Sequence, residues 1–112
     1  MSTWVYISGP LSQGDPLDNI RLAIDYWVKC RALGTIPICP HLSYYIEKQH
    51  PNLASHSFWL MYDKEVLERC DVMIRLHHLP SLGADYESKV FAGPIFQVPE
   101  EWEAFKGWVR SQ

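Results

Sequence analysis

The sequence predicts an α/β fold: a parallel sheet of about four strands with helices on both faces. Two observations predict it. Short apolar, β-rich runs alternate along the whole chain with stretches of helical period, the pattern of strands joined by right-handed helical crossovers. And 112 residues at 47% hydrophobic and 13% aromatic suit one compact domain, residues 1–112, able to bury a core.

Trp4-Val5-Tyr6-Ile7-Ser8 is the first strand, stopped by Gly9-Pro10. Asp15-Pro16 then supplies an N-cap and a proline at the first helical position. Ile20, Ala23, Ile24, Trp27 and Val28 recur at helical spacing, and Gly34 follows as a C-terminal glycine, so residues 16–33 form an amphipathic helix. Ile36-Pro37-Ile38-Cys39 is a second strand whose proline predicts a sheet edge. Pro40 to Ser57 is the least regular stretch, a long functional loop with some helix in it. Ser57 is the candidate cap of a helix on which Trp59, Tyr62, Val66, Leu67 and Cys70 share one face. Asp71-Val72-Met73-Ile74-Arg75-Leu76 is a third, buried strand. The loop His77 to Leu82 leads into a helix starting near Gly83-Ala84, with Ser88 to Ala92 before Gly93. Pro94 to Val98 is the fourth strand, and Pro99 to Val109 a closing helix with Trp102, Phe105 and Val109 on its apolar face.

Composition removes several function classes. A net charge of −3 leaves no basic footprint for nucleic acid. No apolar run reaches the roughly 18 residues of a membrane span, and the N-terminus lacks the pattern of a signal peptide. Cys30, Cys39 and Cys70, odd in number and scattered, read as reduced, buried thiols of a cytosolic protein. The five histidines show no zinc spacing: His77 and His78 are adjacent, and Cys39-Pro40-His41 is a bare C-x-H, so no metal is expected. There is no G-x-G-x-x-G, no P-loop and no G-x-S-x-G, so neither a dinucleotide cofactor nor serine catalysis is expected.

Ligands of open parallel sheets bind beyond the carboxyl ends of the strands. Three loops leave those ends: Ser8-Gly9-Pro10, Pro40-His41, and Arg75 to Glu87. In Ser81-Leu82-Gly83-Ala84-Asp85-Tyr86-Glu87, Gly83 allows close backbone approach to a ligand, and free N–H groups at a helix start favour an anion. Glu87 lies about one turn into that helix, beside the crevice. The simpler reading, that Asp85 and Glu87 only complement the helix dipole, is equally open on these residues. Asp63 falls on the apolar stripe between Trp59 and Leu67, where a carboxylate faces either a site or a hydrogen-bonding loop. His41 sits in a loop over the crevice, or simply in solvent.

Taken in order, these pieces resemble the nucleoside 2-deoxyribosyltransferase-like superfamily, particularly its small phage and bacterial members. The pieces are Tyr6-Ile7-Ser8-Gly9-Pro10, Asn19, Pro40-His41, Trp59 with Asp63, Cys70-Asp71, Ser81-x-Gly83-Ala84-Asp85-x-Glu87, and Gly93-Pro94-Ile95-Phe96. The resemblance implies a flavodoxin-like or Rossmann-like sheet. It also implies an enzyme that cleaves the N-glycosidic bond of a 2′-deoxynucleoside or its 5′-monophosphate, as an N-glycosidase or a deoxyribosyltransferase, without a cofactor. Glu87 matches the family nucleophile, Asp63 the carboxylate that helps protonate the departing base, and Tyr6 the tyrosine that holds the nucleophile. Ser8, Gly9, Pro10, Asn19, His41, Trp59, Ser81, Gly83 and Asp85 are the expected substrate-binding residues. Ser81 stands where transferases of free nucleosides often carry an acid, and where the family's monophosphate hydrolases similarly carry serine, which favours a monophosphate. The alternative is a non-catalytic nucleotide-binding or sensor module on the same fold. Members are dimers or larger, and five tryptophans in so small a domain also predict a homodimer that covers part of that aromatic surface.

Overall fold

The chain leaves its first strand in one direction and returns in the other. The computed structural model describes residues 2–112. Strands β1 (Trp4–Ser8), β2 (Ile36–Ile38), β3 (Val72–Leu76) and β4 (Ile95–Val98) form a 4-stranded sheet in the order β2-β1-β3-β4, with every pairing parallel. The winding steps outward from β1 to β2, then back to β3. The switch point, where loops diverge and leave a crevice, therefore lies between β1 and β3. Pro37 sits in the edge strand β2, where a missing N–H breaks no inner ladder.

Strand alternation decides what each face carries. Val5 and Ile7 of β1 and Val72, Ile74 and Leu76 of β3 face helices α1 (Pro16–Ala32) and α5 (Trp102–Arg110), packing on Ala23, Tyr26, Cys30 and Phe105. Tyr6 and Met73 face the other side, under Leu67 and Cys70 at the end of helix α3 (His56–Leu67). Helix α4 (Leu82–Val90) covers the same side, where the Ser88 hydroxyl lies over the Met73 sulfur. Two residues beyond Tyr6 and Met73, Ser8 and Arg75 stand side by side in register. This second face is thus apolar toward the start of the strands and polar at their carboxyl ends.

Most elements form where their local chemistry puts them. The Asp15 carboxylate accepts the Leu17 N–H at 3.0 Å, and Gly34 takes φ +82° just after α1. Asp71 lies outside β3 and accepts the Trp4 N–H at 2.8 Å. Pro99 to Glu101 form a turn, so α5 starts later than expected. The irregular stretch holds a 3₁₀ turn (Pro40–Leu42) and helix α2 (Ser43–Gln49).

Some expectations need correction. The cap of α3 is Ser55, not Ser57: Ser55 is extended and its hydroxyl accepts the Phe58 N–H at 3.1 Å, which puts Ser57 inside the first turn. Tyr62 does not share the buried face. Asp63 takes the inward position, and Tyr62, about 100° round the helix from it, is 49% exposed. Cys39, at the open end of β2, is only half-buried, whereas Cys30 and Cys70 are buried; all are free thiols. No helix among the described residues is long and apolar enough to cross a membrane.

Candidate active site

The polar end of the second sheet face meets one side chain from α4. The Tyr6 hydroxyl donates to Oε2 of Glu87, and the Ser8 hydroxyl donates to Oε1 at 2.7 Å. Both donors are buried, so both carboxylate oxygens are held by groups that cannot swing away. Burial raises the Glu87 pKa, while the Tyr6 and Ser8 bonds and the Arg75 charge lower it. The Tyr6 hydroxyl is pushed far up, first by burial and then by the charges of Glu87 and Asp63, so it stays a protonated donor.

Asp63 reaches the same crevice from α3. Burial, then the charge of Glu87, pushes its pKa up to about 7. Two carboxylates thus share one field with unequal support. Glu87 has two donors and a nearby cation that favour its anion, and Asp63 has neither. Burial raises both acids, but only at Glu87 do two hydrogen bonds and a cation oppose the rise.

The loop after β1 forms one wall. A Cβ on Gly9 would lie 2.7 Å from Cβ of Leu76, so only glycine lets this loop pass so close to the end of β3. Buried Asn19 donates to the carbonyls of Leu11 at 2.9 Å and Gln13 at 2.6 Å, and its Oδ1 lies 2.8 Å from Nε2 of His78. His41 is buried, not in solvent. Its Nε2 lies 3.1 Å from the carbonyl of Pro10, and burial pushes its pKa down to about 4, so a neutral ring donates there. Asn19, His41 and Pro10 therefore shape the loop, with the polar atoms of both side chains engaged in doing so.

The other wall is the start of α4. The Ser81 hydroxyl accepts the Ala84 N–H at 3.1 Å as the N-cap. Gly83 faces open space, the nearest atom to a Cβ there being the Ser81 hydroxyl at 4.0 Å. Asp85 is paired with Nη2 of Arg75. Trp59, one turn before Asp63, is half-buried and donates its indole N–H to Glu47 of α2.

The structure brings Tyr6, Ser8, Asp63 and Glu87 together, and sets Gly9, Pro10, Asn19, His41, Ser81, Gly83 and Asp85 in the walls. Trp59 lines a separate cavity of about 380 Å³ with Ile46, Leu53, Ala54, Ser55 and Phe58, which neither carboxylate reaches. Its lining holds no acid, base or unengaged indole N–H, so the crevice at the carboxylates is the stronger candidate for chemistry. Sequence reasoning missed Arg75 as a site residue. The signal was available: in β3 it falls two residues after Met73, on the face of Tyr6.

No protein-family model and no curated protein sequence matches the chain. Among solved structures it is similar to the 2-deoxyribosyltransferase of the psychrotolerant bacterium Bacillus psychrosaccharolyticus, with a TM-score of 0.58 and 19% identity, over 85% of this chain and 71% of that one. The four-stranded parallel order, the helices on both faces and this likeness agree on one architecture: the chain has a nucleoside 2-deoxyribosyltransferase-like α/β fold.

Proposed function

We propose that the chain is an enzyme that cleaves the N-glycosidic bond of a 2′-deoxynucleoside 5′-monophosphate or 2′-deoxynucleoside. The observation that carries this reading is the divided carboxylate pair, Glu87 held by Tyr6 and Ser8 and Asp63 raised to about 7. Breaking the bond to the base builds oxocarbenium character at C1′. Glu87 attacks C1′ as the C1′–N bond breaks, and the Asp63 proton goes to the departing base nitrogen. The Asp63 carboxylate then takes a proton from water, whose oxygen attacks C1′ and frees Glu87. A second base in place of water gives transfer rather than hydrolysis. The likeness to a 2-deoxyribosyltransferase supports the same class of reaction.

A monophosphate is the preferred substrate. The Ser81 hydroxyl accepts from Ala84 and keeps its own proton to donate, the first N–H groups of α4 are open, and the charge of Asp85 is balanced by Arg75. Aspartate also caps helices well, so Ser81→Asp keeps the cap while repelling a phosphate dianion. The protein acts as a homodimer.

The test is incubation with a panel of deoxynucleosides and their monophosphates, with free base read by chromatography and a deoxyribosyl adduct on Glu87 read by mass. Base release by the wild type and none by Glu87→Ala is expected. Release that survives Glu87→Ala overturns the mechanism, and a thermal shift with ligand but no release makes the chain a non-catalytic nucleotide-binding module. Preference for the unphosphorylated substrate, or an unchanged preference in Ser81→Asp, overturns the monophosphate assignment.

A further inference from the structure

We infer that Arg75 is a positioning residue for Glu87, orienting the turn of α4 that carries it and supplying, among the described residues, the one cation that faces its carboxylate. The inference rests on the reading of Glu87 as the nucleophile. Arg75 and Ser8 are direct cross-strand neighbours, and Ser8 is bonded to Glu87. The guanidinium donates through Nη1 to the Ser88 hydroxyl at 3.2 Å and through Nη2 to Asp85. These partners flank Glu87 in sequence, one on each side. The Ser88 hydroxyl in turn donates to the Ala84 carbonyl at 2.9 Å, so the clamp reaches back into the first turn of the helix. A planar fork holding two points of one helical turn fixes its rotation, and with it the direction of the Glu87 side chain.

Stability alone does not explain this arginine. Its side chain is only 15% exposed, and Nε is buried with no hydrogen-bond partner among the described residues. Burying a cation with an unsatisfied N–H is unfavourable, and well-packed apolar residues commonly replace such ion pairs without loss. What an apolar side chain would not supply is charge. The groups facing Glu87 are Tyr6 and Ser8 from β1, Asp63 from α3 and Arg75 from β3, with Asp85 and Ser88 beside it on α4. Among them Arg75 alone is positive. Its charge opposes the rise that burial imposes on Glu87, an opposition that Asp63 lacks.

The experiment follows the Glu87 carboxyl carbon by NMR in glutamate-labelled protein, assigned with Glu87→Gln, through a pH titration of the wild type, Arg75→Met and Arg75→Lys. Arg75→Met is expected to raise the Glu87 midpoint by about one unit, and to lower kcat/KM about tenfold at pH values below that midpoint. Arg75→Lys keeps the charge but not the fork. Its midpoint is expected to stay near the wild type while kcat falls. An unchanged midpoint in a folded Arg75→Met overturns the assignment. If Arg75→Met does not fold, a midpoint in Arg75→Lys displaced by a full unit overturns it equally. A shifted midpoint in Arg75→Met, with no base release by the wild type, retires the glycosidic reading and supports Arg75 as the charge that sets Glu87.

Discussion

Each oxygen of Glu87 has one buried donor, so single-atom changes are informative. Tyr6→Phe removes the donor to Oε2 and leaves that oxygen unsatisfied, at a cost of about 1–3 kcal/mol in stability. It also raises the Glu87 pKa, so the acid limb of the activity profile moves to higher pH; a limb at the wild-type position contradicts the role given to Tyr6. For Asp63 the sign follows from its raised pKa. Between its ordinary value of 3.8 and about 7 the folded state binds the proton that the unfolded chain has released. Stability contributed by this group is therefore full below pH 3.8 and is lost as pH rises through about 7. Asp63→Asn lacks that loss. Its melting temperature relative to the wild type is expected to climb from pH 5 to pH 8, while activity drops on the order of 10²-fold. Wild-type activity itself falls as pH rises through about 7, where the acid becomes ionised. A flat difference in melting temperature contradicts the burial of Asp63 beside Glu87.

At the scale of elements, α4 carries the most testable chemistry. Ser81→Ala removes its cap and costs about 1 kcal/mol, measurable in a denaturant midpoint. Gly83→Ala meets no atom closer than the Ser81 hydroxyl, and alanine favours the helix by about 0.5–1 kcal/mol. The variant is expected to be more stable than the wild type yet to bind substrate less well, since the added methyl occupies the path of a ligand. Equal KM in the two proteins removes Gly83 from the substrate wall. Gly9→Ala acts in the opposite sense. Its methyl meets Cβ of Leu76, which does not yield, and overpacking of this kind costs about 1–3 kcal/mol.

At the scale of the molecule, exposed apolar side chains lie on α1 (Leu17, Ile24 and Val28, the last two outside the face the helix buries), around α2 (Tyr45, Ile46 and Leu53), and on α3 and α4. Phe58, Met61 and Tyr62 form one exposed stripe of α3, and Leu82, Tyr86 and Val90 another along α4, with Leu82 90% exposed. Both helices cover the same side of the sheet. The tryptophans do not make this surface: Trp27, Trp102 and Trp108 pack against the core, Trp59 is half-buried, and Trp4 alone is markedly exposed. A homodimer through these stripes needs about 800 Å² from each partner. Light scattering is expected to give twice the 13.0 kDa of one chain, and Met61→Glu with Tyr86→Glu to halve that mass. A wild-type particle of one chain at high concentration contradicts the pairing.

Much of this was legible in the residues themselves. The strand runs, the Asp15-Pro16 start of α1, Gly34 beyond its end, the edge position of Pro37 and the strand and helices that carry Tyr6, Ser8, Asp63 and Glu87 all follow from local propensity and period, which act over a few neighbours. The start of α3 was misread because two serines stand close together, and only the backbone conformation of Ser55 selects between them. What the sequence left open were consequences of long-range packing. His41 and Asn19 are polar residues whose bonds run to Pro10, Leu11, Gln13 and His78, partners that the fold alone brings within reach. The protonation of Glu87 and Asp63 depends on burial and on charges carried by other elements. Arg75 reads as an ordinary strand residue until the parallel register sets it beside Ser8, and α4 lays Asp85 and Ser88 over its guanidinium. Local pattern determined the elements and their order; contacts between residues far apart in the chain decided which side chains are charged, held or exposed.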